Sequence, residues 1–242
     1  MNKNFTALFL KDLEKHKDEV FAQWVAKILN ICPGGYGEGD VLLGLRIPQI
    51  RVIAKKYWKN INLKEVEKLF RHEIHEVRLA SLMILVEKYA KAIDVDKYDI
   101  VKIYLNNSKY INNWDLVDLS APNILGHFWY LSASLTDFWK YAISGNIWKE
   151  RIVMVSTFYF IKQNRFAETL ELAKMFLTNE YDLIHKASGW MLREVGKRDI
   201  KTLITFLDKY SHVMPRTMLR YSIEKFPERQ RKFYLEKSSH SL

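Results

Sequence analysis

The sequence predicts an all-α protein, an α-solenoid of stacked helix pairs whose second helices line a concave, basic groove. Three observations lead there. Similar apolar helical segments recur along the chain, and Arg78, Asp118, Arg151, Lys186 and Arg220 hold the same place in each. The steps between them are 40, 33, 35 and 34 residues, a period that marks helical repeat arrays. Strong helix breakers are scarce, with five Pro and nine Gly in 242 residues and four of those glycines between positions 34 and 39. No stretch of useful length alternates apolar and polar residues as a half-buried strand would.

Each element follows from local pattern. Leu8, Leu13, Val20, Phe21, Trp24 and Ile28 recur at helical spacing through 5–29, with a break expected near 15–17 that makes two helices. Residues 32–40, CPGGYGEGD, form a glycine-rich loop without the Gly-Lys-Ser/Thr ending of a phosphate-cradling loop, so nucleotide binding is not indicated. Pro48 suits the first turn of a helix running to Tyr57, where its missing N–H would be unpaired anyway. From Asn62 onward the pattern is helix, polar turn, helix. Helices are expected at 63–70 and 73–90, then 96–105 and 113–128, and then 136–143 and 148–161. Two further pairs follow, 166–177 with 184–196 and 200–210 with 215–225. The second member of each pair carries the repeated position, and second helices of such arrays line one face. In the tail, Arg216, Arg220, Lys225, Arg229, Arg231, Lys232 and Lys237 outnumber Glu224, Glu228 and Glu236.

Residues 1–242 read as a single domain. With 48% hydrophobic and 14% aromatic residues, the chain can build a core, which excludes intrinsic disorder. The formal net charge of +10 suits a polyanionic partner, nucleic acid before anionic membrane. Cys32 is the sole cysteine, which excludes an internal disulfide and a cysteine-rich zinc site and fits a reducing compartment. The apolar stretch near the N-terminus is too short for a signal peptide, and the apolar run at 152–161 falls far short of the ~20 residues that span a bilayer. A monomeric cytoplasmic protein, associated with the nucleoid and with no membrane partner, is expected.

The residues that bear chemistry cluster on second helices. Trp114 and Asp118 are four apart and share a face, as do Trp148 and Arg151 at a spacing of three. Lys186, Trp190, Arg193 and Lys197 form a stripe at helical spacing. Three successive repeats thus set a tryptophan beside a charge, and second helices facing a groove would give it aromatic walls, cations and one carboxylate. Other readings stand beside this one. Tryptophans at helical spacing also belong to cores. Arg78, Arg151, Lys186 and Arg220 also suit a structural ladder, each paired with an acid or carbonyl of the neighbouring repeat, and Asp118 suits the acid of such a ladder. The histidines add little: His75 and His185 read as surface residues, and no HExxH or Cys/His spacing suggests a metal site. No GxSxG element is present, and no cofactor is expected.

Three stretches carry a resemblance to a known family. They are YGEGDVLLGLRIPQIRVIAKKY at 36–57, NNWDLVDLSAPNILG at 112–126, and SGNIWKER at 144–151 together with KASGWMLREVGK at 186–197. In this order they resemble the AlkD-type DNA alkylation repair glycosylases, built from HEAT-like repeats. The resemblance implies excision of cationic N3- or N7-alkylated purines from double-stranded DNA by hydrolysis of the N-glycosidic bond, recognised from the backbone side without a deep base pocket. The family's active-site tryptophan and aspartate match Trp114 and Asp118, its arginine matches Arg151, and its second tryptophan matches Trp190. On this pattern Asp118 stabilises an oxocarbenium-like sugar, Trp114 and Trp190 stack on the deoxyribose, and Arg151 anchors a phosphate. Arg78, Lys186, Arg193, Lys197 and Arg220 would add DNA contacts. A catalytically silent relative that binds damaged or branched DNA, and a protein scaffold, are the rival readings.

Overall fold

The computed structural model describes residues 4–237, so the first three residues of the N-terminal segment, the last five of the basic tail and the outer limits of the 1–242 domain lie outside them. Among the described residues the protein is all-α, with no strand and one isolated bridge, parallel, from Val41 to Ile74. No described helix is long and apolar enough to cross a membrane. The chain divides into two compact units, Met1–Ile124 and Leu125–Leu242.

The first unit holds α1 (Phe5–Glu14), α2 (Glu19–Ile28), α3 (Ile47–Tyr57), α4 (Leu63–Leu69), α5 (His75–Lys91), α6 (Asp94–Asn106) and α7 (Trp114–Ser120). The break expected near 15–17 falls between α1 and α2, where Asp18 accepts from the Phe21 N–H at 2.9 Å and caps the second helix. Pro48 sits in the first turn of α3, as its missing donor requires. Helix α5 is the axis of this unit: α3, α4, α6 and α7 all pack on it, and Leu82, Ile84 and Leu85 are fully buried. Gly44 has φ +83°, a left-handed conformation, and any side chain there would run into the Asp18 carbonyl.

The second unit holds α8 (His127–Leu131), α9 (Thr136–Ala142), α10 (Ile147–Lys162), α11 (Ala167–Met175), α12 (Asp182–Arg198), α13 (Ile200–Tyr210), α14 (Arg216–Ser222) and α15 (Glu228–Lys237). Helix α12 packs against α10 on one side and α14 on the other, while α11 and α13 cover it from behind. Gly189 makes the α12–α14 approach possible, because a Cβ there would stand 2.5 Å from the Met218 carbonyl oxygen.

Two expectations change. Residues 113–128 are not one helix: α7 ends at Ser120 and a π-helical turn, Pro122–Gly126, intervenes before α8. Pro122 has no N–H to donate to the carbonyl four residues back, that of Asp118, so the α-helical ladder cannot run on. The tail forms a helix that the apolar pattern does not announce: α15 buries Tyr234, whose ring packs on Phe226, and polar contacts add to this. The Tyr234 hydroxyl donates to Asp208 at 2.9 Å, Lys237 donates to the Asp208 carbonyl, and Arg216 donates to that of Leu235. Burial and the Asp208 carboxylate push the Tyr234 hydroxyl up to about 12, so it stays a donor.

Candidate active site

Helix α7 has only seven residues, and isolated helices this short are marginal. Its start is therefore set by neighbours. Asn113, fully buried, accepts from the Trp114 N–H at 2.8 Å and donates through Nδ2 to the Leu29 carbonyl at 3.1 Å. Asp115 Oδ1 accepts from the Leu116 N–H, and its Oδ2 lies 2.8 Å from His75 Nε2. Trp114 and Asp118, one helical turn apart, are both half-buried on this anchored helix.

The anchor is a chain of buried charges. His75, 1% exposed, places Nδ1 3.0 Å from Asp40 and Nε2 2.8 Å from Asp115. Arg78 donates to the same Asp40 oxygen at 2.6 Å and to the carbonyls of His72 and Glu73 at 2.9 and 3.1 Å. Asn112 joins both, accepting from Arg78 at 3.3 Å and donating to Asp40 at 3.4 Å. Burial lowers the proton affinity of His75, but the hydrogen bond and charge of Asp115, with help from Asp40, outweigh it and raise the imidazole to about 9. Burial likewise raises Asp40, yet His75 and Arg78 together hold its carboxyl below the usual range. One expectation is corrected here: His75 is no surface residue. Arg78, 4% exposed, is neutralised by Asp40 and tied to Asn112 and two carbonyls, contacts of the kind a structural ladder makes.

Next to His75 along α5, Glu76 accepts from the N–H groups of Leu43, Gly44 and Leu45 at 3.0, 2.7 and 3.3 Å. This fixes the loop before α3. The same loop borders an apolar cleft of about 320 Å3 lined by Phe21, Trp24, Ile28, Ile47 and Trp114, with His75 and Asp115 at its edge. Trp24 is 56% exposed and stacks on Phe21, and the Arg46 guanidinium sits 4.4 Å from the Phe21 ring centre.

The second unit carries the remaining candidates. Arg151 is 5% exposed and donates to the Leu183 carbonyl at 2.7 Å, a ladder contact to the start of α12. Trp190 is half-buried with its ring centre 6.0 Å from that of Phe158. Lys186 pairs with Asp182 at 2.8 Å; Lys197 pairs with Glu194 at 2.7 Å. Arg193 binds Glu224. Arg220 is exposed, and with Lys186 and Arg231 it surrounds a cleft of about 320 Å3 that Glu224 shares. Arg231 comes from α15, which apolar periodicity could not place. His185 is half-buried, its Nε2 2.7 Å from the Asn179 carbonyl oxygen. No group of three metal-ligating side chains converges among the described residues.

A family model described as "DNA alkylation repair enzyme" matches residues 9–226. Among solved structures, a protein of Enterococcus faecalis titled a predicted DNA alkylation repair enzyme shares the fold, with a TM-score of 0.70 at 15% identity over 88% of this chain and 98% of its own. Comparison with curated proteins gives no match. The family model spans nine-tenths of the sequence and includes every helix that positions the candidate residues, so the chain belongs to the DNA alkylation repair enzyme family.

Proposed function

We propose that this protein is a monofunctional DNA glycosylase that removes cationic N3- and N7-alkylated purines. The observation that carries this reading is the pairing of Trp114 with Asp118 on a short helix anchored by buried polar contacts. An alkylated purine already bears a positive charge, so it departs with the glycosidic electron pair as a neutral base. The sugar left behind is oxocarbenium-like, and a fixed carboxylate nearby stabilises that charge. Water then bonds to C1′ and its proton passes to Asp118 or to solvent, leaving an abasic site. Trp114 would stack on the deoxyribose. Arg151 is the phosphate anchor that the family resemblance implies, and its burial means that replacing it also costs stability. Arg220 and Lys197 are the phosphate contacts with most exposed surface; Lys186, Arg193 and Lys197 are partly offset by Asp182, Glu224 and Glu194. Together these cations would form a basic groove tracking the duplex backbone. No lysine serves as a Schiff-base nucleophile in this scheme, so strands are not nicked.

The test is incubation with methylated duplex DNA and chromatography of the released bases. Release of 7-methylguanine or 3-methyladenine, with abasic sites and no strand breaks, is the expected result. A folded protein that releases nothing contradicts it. The cleft among Lys186, Arg220 and Arg231 favours a second reading in that event, a silent binder of damaged or branched DNA. That reading predicts tight, salt-dependent binding without base release.

A further inference from the structure

We infer that His75 is a positioning residue for the proposed reaction: bridging Asp40 and Asp115, it fixes the first turn of α7 and hence the placement of Trp114 and Asp118. The inference rests on the reading of α7 as the catalytic helix. Ionised carboxylates only accept hydrogen bonds, and His75 has one on each ring nitrogen, 3.0 and 2.8 Å away. Both nitrogens must therefore donate, and the ring carries its charge. The bridge links a long helix, buried from His75 to Leu85, to a short one that cannot fix itself.

The remaining charged neighbours are consistent with this balance. Arg78 offsets the second charge on Asp40, and Glu76 points to the 43–45 loop. His72 is turned to the Ile74 N–H, and Glu73 offers Arg78 its carbonyl. From α7, Asp115 reaches the ring, one residue past Trp114 and three before Asp118. A shift of about 1 Å at a reacting group costs on the order of 100-fold in rate, so the anchor matters for chemistry beyond folding.

Two measurements test this. In 15N-histidine spectra of the full chain without DNA, assigned with His75→Gln, both ring nitrogens should be protonated at pH 7.5 and should lose a proton only near pH 9. The Trp114 indole resonance, assigned with Trp114→Phe, should move with the same midpoint. A neutral ring at pH 7.5, or a Trp114 signal indifferent to the titration, overturns the inference. In single-turnover excision, His75→Gln and Asp115→Asn should lower the rate about 10- to 100-fold while DNA Kd changes less than about threefold. The ratio of His75→Gln to wild-type rate should rise toward one above pH 9. Unchanged rates in both variants, or a ratio independent of pH, also overturn it. If the wild type excises nothing, the glycosylase reading fails while the spectra still judge the bridge; the spectra also decide if a variant does not fold.

Discussion

Arg78 and Arg220 hold the same place in the repeat but opposite places in the protein. In the first unit the repeated cation is buried, neutralised by Asp40 and embedded with His75, Asp115 and Asn112. In the second unit the repeated position runs outward, from buried Arg151 through half-buried Lys186 to exposed Arg220. The sequence position alone does not decide the role; the neighbouring acids do. Where a loop supplies Asp40, the cation is structural. Around the cleft of Lys186, Arg220 and Arg231, Lys186 pairs with Asp182 and the lining acid Glu224 is engaged by Arg193 and Lys225, so positive charge is left over for a polyanion. The contrast assigns rigidity to the helices around α7 and electrostatic attraction to those around α14.

The largest effects should appear where charge is buried. Asp40→Ala leaves His75 and Arg78 as neighbouring cations without their shared acceptor, and should cost about 3–5 kcal/mol in urea denaturation. Lys186→Ala should stay within about 0.5 kcal/mol of wild type, since its partner is a solvent-exposed aspartate. Equal effects would erase the distinction between the units.

A smaller effect separates them by pH. His75 binds its proton more tightly folded than unfolded, raised from 6.5 to about 9. Its contribution to stability is therefore complete below about pH 6.5 and is lost as pH rises through about 9. The urea midpoint should fall over that window in the wild type and fall less in Asp115→Asn. A wild-type midpoint that is flat from pH 6.5 to 9.5 breaks this part of the account.

The smallest effect is on salt dependence. Lys186→Ala and Arg220→Ala should each reduce the slope of log affinity for duplex DNA against log salt by about one. A slope unchanged in both would remove the second unit's cations from the DNA interface.

Much of the fold was legible because it is built from local signals. Pro48 marks a helix start by chemistry that acts within a turn, and apolar residues at helical spacing mark α2, α10 and α12. Pro122 lies inside the stretch read as one helix, where the apolar run continues across it. The polar anchor was not legible. Asp40, His75 and Asp115 meet across separations of 35 and 40 residues, which no local spacing signals. Helix α15 escaped for the complementary reason, since a single buried ring, Tyr234, and polar contacts to Asp208 and Arg216 hold it, and neither makes an apolar periodicity. For the candidate site, Trp114 and Asp118 were legible as a pair on one face, whereas what holds their helix was not.

Asp118→Asn tests the central claim most directly, in single-turnover excision from methylated duplex DNA with DNA affinity measured on the same preparation. The substitution keeps the shape of the side chain and removes the charge that would face the sugar. The account predicts a rate lowered at least about 100-fold with affinity unchanged or tighter. Release of 7-methylguanine at the wild-type rate would contradict it.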